Sequence, residues 1–244
     1  MAIFATAGAK FYLGTTLAVD FTTYSSALAN FAADTYVEVK PMETIGDFGD
    51  TSTDVKFLGI GDSRARHLKG SSDAGVQQLI AGFDATDLGQ IAVKAAKASP
   101  QDFNAKILFN DAPVARSATV TITIASPGVV TWTGHGLAAN AAVVLTTTGA
   151  LPTGLTASTT YYVKTVIDAN TFTLSATAGG SVINTTGTQS GVHTLTTVPS
   201  GTIAYYRGKV MAFKRVTGTG PDNVIKLQFD FGINSDIIEV PAAE

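Results

Sequence analysis

No cysteine occurs anywhere in the 244 residues. Disulfides, thiolate metal sites and cysteine nucleophiles are therefore excluded. Histidine is nearly as scarce, with only His67, His135 and His193. No uncharged apolar stretch approaches the roughly 18–20 residues that a membrane-spanning helix needs, so no membrane insertion is expected. Lys10 interrupts the N-terminus where a signal peptide's apolar core would run, and no basic segment precedes it. A soluble protein made in a cytoplasm is the expectation. The net charge of −3 offers no general attraction to nucleic acid or anionic membrane.

Charge is also missing from one place in particular. Of 16 basic and 19 acidic residues, only Lys164 and Asp168 fall within residues 118–198, a window that holds 22 threonines. So sharp a change of composition marks a Thr-rich β domain, 118–198, inserted into a host made of 1–117 and 199–244. The ends of such a graft should lie close together.

Short β-type segments dominate the host. Residues 9–14, 35–39, 55–58, 75–83 and 103–109 read as strands, with a Ser/Ala/Thr-rich connection after the first. Residues 203–216 and 223–233 read as a long hairpin, its turn at 218–222 and a bulge at Gly208. In the second strand Ile225, Leu227, Phe229 and Phe231 share one face. One helix is expected from Asp84 to Ala98, capped by Asp84, with Leu88, Ile91, Ala92 and Ala95 forming its apolar stripe and Pro100 stopping it. The insert reads as six short strands, 118–125, 129–133, 143–148, 159–167, 171–175 and 192–197, suggesting a small β-sandwich or partial barrel. The expected class is mainly β, all-β or α+β, with one packed helix.

The chemical inventory is thin. Two of the three histidines lie in the nearly carboxylate-free insert, where a metal would find few ligands. His135, between Gly134 and Gly136, reads as a turn residue. His67 has no nearby Ser or Cys with which to form a dyad. Gly59-Ile-Gly61 begins like a phosphate loop but lacks the third glycine and the helix. Asp47, Asp50 and Asp54 do not match calcium-loop spacing. No catalytic, cofactor or metal residue is assigned, and no enzyme activity is expected.

One charge pattern stands out. Glu43, Asp47, Asp50 and Asp54 form an acidic run without an internal base, and Arg64, Arg66 and Lys69 follow as a basic cluster without an internal acid. Opposite-sign segments on one domain can match head to tail between copies, giving rings or filaments. These seven residues are the candidate inter-subunit contacts.

The host resembles the tail tube (major tail) proteins of long-tailed, siphovirus-type bacteriophages. The likeness runs through Gly70-Ser-Ser-Asp-Ala-Gly75, the segment from Phe83 to Ala92, Phe103-Asn-Ala-Lys-Ile-Leu108, Tyr206-Arg-Gly-Lys-Val210 and Phe229-Asp-Phe-Gly-Ile-Asn234. The insert separately resembles a module appended to phage virion proteins, through Gly134-His-Gly-Leu-Ala-Ala-Asn140, the segment from Thr147 to Gly154, Thr159-Thr-Tyr-Tyr-Val163 and the segment from Asn170 to Ala176. The resemblance implies hexameric rings whose sheets join into an inner β-barrel and stack into a hollow tube. The helix would lie outside that barrel. The segment around Glu43 to Asp54 and both chain ends would bridge rings. It also implies a place in the virion tail and, as partners, further copies, a tape measure protein, tail terminator and distal tail proteins. Double-stranded DNA would pass through the lumen without specific binding. The insert would sit on the exterior, with weak cell-surface contact open to it. An alternative stays open at this level: a receptor- or glycan-binding virion protein acting through the insert.

Overall fold

The computed structural model describes residues 7–218 and 223–244. In chain order the elements are β1 (Lys10–Leu13), α1 (Tyr24–Ala33), β2 (Val37–Val39), β3 (Met42–Ile45), β4 (Thr51–Phe57), β5 (Arg66–Asp73), β6 (Val76–Gly82), α2 (Leu88–Lys97), β7 (Phe103–Leu108), β8 (Ser117–Ile122), β9 (Val129–Thr131), β10 (Ala142–Thr147), β11 (Thr160–Val166), β12 (Thr171–Ser175), β13 (His193–Thr197), β14 (Ile203–Val216), β15 (Lys226–Ile233) and β16 (Ile238–Val240). The protein is mainly β, as expected. It divides into two compact units: Met1–Asn110 with Ile203–Val240, and Asp111–Thr202 with Pro241–Glu244. The final tetrapeptide thus belongs with the Thr-rich unit rather than with the host.

The first unit is built on an antiparallel sheet ordered β2-β1-β7-β14-β15-β6-β3, with β16 added beside the start of β14. The sheet curls, β1, one strand in from the β2 end, having Cα atoms within 8 Å of β3 at the other end. Alternation along β15 explains the core, since Leu227, Phe229 and Phe231 are fully buried while Lys226, Gln228 and Asp230 face away. Phe11 packs its ring 5.5 Å from Phe229 and 6.2 Å from Phe231. Ile225, expected on the same face, precedes the strand and stays exposed. The hairpin of β14 and β15 forms as expected, but most of its turn, 219–222, lies outside the described residues. Its bulge falls between Val210 and Ala212 instead of at Gly208. Gly208 answers a different need: a Cβ there would sit 2.0 Å from the Gly232 carbonyl oxygen.

The helix α2 begins later than expected, and the reason is local. The Asp84 carboxylate is engaged by the Thr86 N–H and hydroxyl at 2.8 and 2.7 Å, closing a turn ahead of the helix. Asp87 is the cap, accepting from the Gln90 N–H at 2.9 Å. The buried face is shifted by one residue, to Gly89, Val93 and Ala96, leaving Leu88 70% and Ile91 49% exposed. The smallest residue fixes this phase. A Cβ on Gly89 would meet the Glu38 carbonyl oxygen at 2.2 Å, so only glycine lets the helix lie this close to β2. Gln90, also buried, accepts from the Asp84 N–H at 3.0 Å and donates to the carbonyls of Lys40 (2.9 Å) and Gly82 (2.7 Å).

The helix α1 lies in the segment read as a connection. Thr23 caps it by accepting from the Ser26 N–H at 3.0 Å, and its few apolar residues do the anchoring. Phe31 is fully buried and stacks on Tyr205 at 5.4 Å.

The second unit is a closed barrel ordered β10-β11-β12-β9-β8-β13, where a sandwich or partial barrel was expected. Closure follows from β13, which pairs with β10 on one side and β8 on the other. Val143, Leu145, Val163, Phe172 and Leu195 fill its interior. Its two ends meet in register, Ser117 opposite Thr196. The Pro241–Glu244 segment joins this foot: Ser200 and Ala243 exchange backbone hydrogen bonds at 2.8 and 3.0 Å. Arg116 pairs with the Glu244 carboxylate, donates to the His135 carbonyl at 2.8 Å and lies over the Trp132 ring at 5.8 Å.

Candidate assembly surface

The strands β4 and β5 pair only with each other, as a ribbon running from Thr51 opposite Asp73 to Phe57 opposite Arg66. Alternation gives it two unlike faces. Asp54, Lys56, His67 and Lys69 lie on one, where the Asp54 carboxylate meets His67 Nδ1 at 2.9 Å and Lys56 Nζ at 3.6 Å. Val55, Leu68 and Phe57 lie on the other, 48%, 61% and 59% exposed. Leu58 and Ile60, beyond the end of β4, are exposed as well. Every residue of the ribbon except Gly70 is solvent-exposed, so no element of the described chain covers either face. Two strands alone are marginally stable in water, and a ribbon of this kind gains most from a third surface. Covering the exposed half of one such Val, Leu or Phe side chain is worth about half of the ~1.5–3 kcal/mol that full burial gives.

The seven charged candidates scatter over this region. Glu43, on β3, is bound by Lys226 Nζ at 2.5 Å. Asp47 and Asp50 lie between β3 and β4, exposed and without an ion pair among the described residues. Asp54 is engaged within the ribbon, where Lys69 sits opposite it in register. Arg66 lies 3.7 Å from Asp62, and Arg64 has no ion pair among the described residues. The stretch from Arg66 to Lys69, part of the basic cluster, is strand. Two charges of the acidic run, Glu43 and Asp54, are already compensated inside the chain, which leaves Asp47, Asp50 and Arg64 available to a neighbour. Sequence reading missed the apolar row, although Val55 and Phe57 alternating with Asp54 and Lys56 carried the period-two signal.

Each histidine has its own set of hydrogen-bond partners. His135 occupies a turn flanked by positive-φ Gly134 and Gly136, fully buried, its Nδ1 accepting from the Leu137 N–H at 2.9 Å. His193 is held between Thr147 and Gln189. Among the described residues no three His, Asp or Glu side chains are grouped to hold a metal ion. No described helix is long and apolar enough to cross a membrane. Three of the barrel's rings turn inward, Trp132 being 7% exposed, Tyr161 5% and Phe172 fully buried, while Tyr162, between the buried Tyr161 and Val163 on β11, is partly exposed.

No family model matches the chain, and no curated protein matches it. Among solved structures, a chain of the anti-feeding prophage (AFP) baseplate, known from a 6-fold symmetrised cryo-EM structure, is similar over 99% of this chain and 98% of that one. The identity is 8% and the TM-score 0.46.

Proposed function

We propose that this chain is a structural virion protein that assembles with copies of itself into the stacked hexameric rings of a phage tail tube, the conduit for DNA ejection. One observation carries the reading: a projecting ribbon bears an uncovered apolar row, Val55, Phe57 and Leu68, that nothing in its own described chain covers. An exposed ribbon of that character in a stand-alone protein is an aggregation hazard, and in a polymerising subunit it is a joint. The sequence resemblance to tail tube proteins supports the same conclusion from different residues. The curled sheet, with the short strands β2 and β3 at its ends, suits edge-to-edge joining into a ring. The near-neutral net charge suits a conduit that DNA crosses without sticking, because each phosphate paired with a fixed cation adds binding. The tape measure, tail terminator and distal tail proteins are the partners that accompany this role. The receptor- or glycan-binding alternative finds only one accessible ring in the barrel, the partly exposed Tyr162, since Trp132, Tyr161 and Phe172 are buried.

Negative-stain microscopy of the concentrated full chain tests the proposal. Annular or tubular particles are expected. Discrete monomers or trimers at every concentration would overturn it.

A further inference from the structure

We infer that the tip of the ribbon on one copy seats at the base of the ribbon on the next, a polar head-to-tail contact between identical chains. The inference rests on the self-assembly reading and specifies which surfaces meet.

The two ends of the ribbon differ in chemistry. The tip presents Leu58 and the fully exposed Ile60 beside Arg64, which has no ion pair among the described residues. Arg66 adds a second cation, only loosely shared with Asp62 at 3.7 Å. The base borders a cleft of about 240 Å³ between the ribbon and the segment that follows β15. Asp50, Asp73 and Asp236 line it together with Ala74 and Ile233, and no lysine or arginine does. Asp73 already accepts from the Gly75 N–H at 2.9 Å, while the carboxylates of Asp50 and Asp236 are exposed and unpaired among the described residues.

The tip cannot satisfy the base of its own ribbon. The rungs from Thr51 opposite Asp73 to Phe57 opposite Arg66 span about 20 Å at ~3.3 Å per residue. Cationic tip and acidic cleft are therefore complementary only between copies. Because the matching surfaces are different patches, the contact is heterologous and propagates, as rings and filaments require. The apolar row of Val55, Leu68 and Phe57 occupies the tip half of the ribbon and is covered by the surface around the next copy's cleft as the tip seats there. Burial of that row supplies the adhesion, while the charges fix direction and register.

The test uses charge reversal on the full chain, at exposed positions that leave the core untouched. Sedimentation velocity over a concentration series compares the wild type with Arg64→Glu, with Asp50→Lys plus Asp236→Lys, and with all three changes together. Circular dichroism checks that each variant is folded. Each partial reversal should raise the concentration needed for association by about tenfold, and the combined variant should return to near the wild-type value. Unchanged association after reversal, or no recovery in the combined variant, overturns the tip-to-base contact while wild-type assembly stands. A wild type that never associates overturns the self-assembly reading itself.

Discussion

Val55 and Leu68 sit directly opposite each other across a two-stranded ribbon, and roughly half of each side chain faces solvent. Cross-strand apolar pairs normally mark the inner face of a sheet. Here no described element of the chain faces them, and the proposed role of the ribbon rests on that exposure.

Replacing Val55, Phe57 and Leu68 together by Ser should cost no more than about 1.5 kcal/mol of stability, about 0.5 kcal/mol for each exposed position. Self-association should weaken by about tenfold or more, since covering the exposed halves of these three side chains together exceeds the ~1.4 kcal/mol that this factor needs. Thermal melts and sedimentation velocity on the same samples separate the two effects. An unfolded variant, or one that associates as well as wild type, contradicts the assignment.

Gly89→Ala should destabilise the first unit by about 2 kcal/mol. The added methyl meets the Glu38 carbonyl oxygen at 2.2 Å, and a backbone atom cannot yield without moving α2 off β2. Urea denaturation measures the loss. A neutral result would mean that the helix has room to shift.

Gln90→Leu keeps the side chain's bulk but deprives the Lys40 and Gly82 carbonyls and the Asp84 N–H of their partner. A loss of about 2–3 kcal/mol is expected, the usual cost of buried polar groups left unmatched. Hydrogen exchange at the Asp84 amide should accelerate in the same variant.

Asp34 links stability to pH. Its partial burial alone would raise its pKa, but donors from Thr15, Asn104 and Thr35 outweigh that and hold it below the ordinary carboxylate value. A depressed folded-state pKa contributes stability that is present above the unfolded value of about 4 and is lost as pH falls through the folded one. Denaturation midpoints should therefore drop below about pH 4 more steeply in the wild type than in Asp34→Asn. Equal slopes would show that these hydrogen bonds do not favour the charged form.

Much of the fold was legible, and the gaps have physical causes. The alternation of Leu227, Phe229 and Phe231 placed β15 correctly because one face of that strand is fully buried. The helix was found but its face was not. Leu88 and Ile91 outrank Gly89 and Ala96 in hydrophobicity, yet close approach to β2 selects for size. The short helix α1, rich in Ser and Ala, carries too weak a stripe to announce itself. Barrel closure depends on β13 pairing at both edges, a non-local fact that strand patterns do not encode. At the candidate surface the charges were visible, but which of them pair internally was decided by register alone, with Asp54 set beside His67 and Lys69.

The most direct test is amide hydrogen exchange across Thr51–Phe57 and Arg66–Asp73, compared between dilute chain and the concentrated, associated form. Ribbon amides should exchange rapidly when dilute and become strongly protected on association, while core strands such as β15 change little. Ribbon exchange as fast in the associated form as in the dilute one would contradict the claim that a second copy covers this surface.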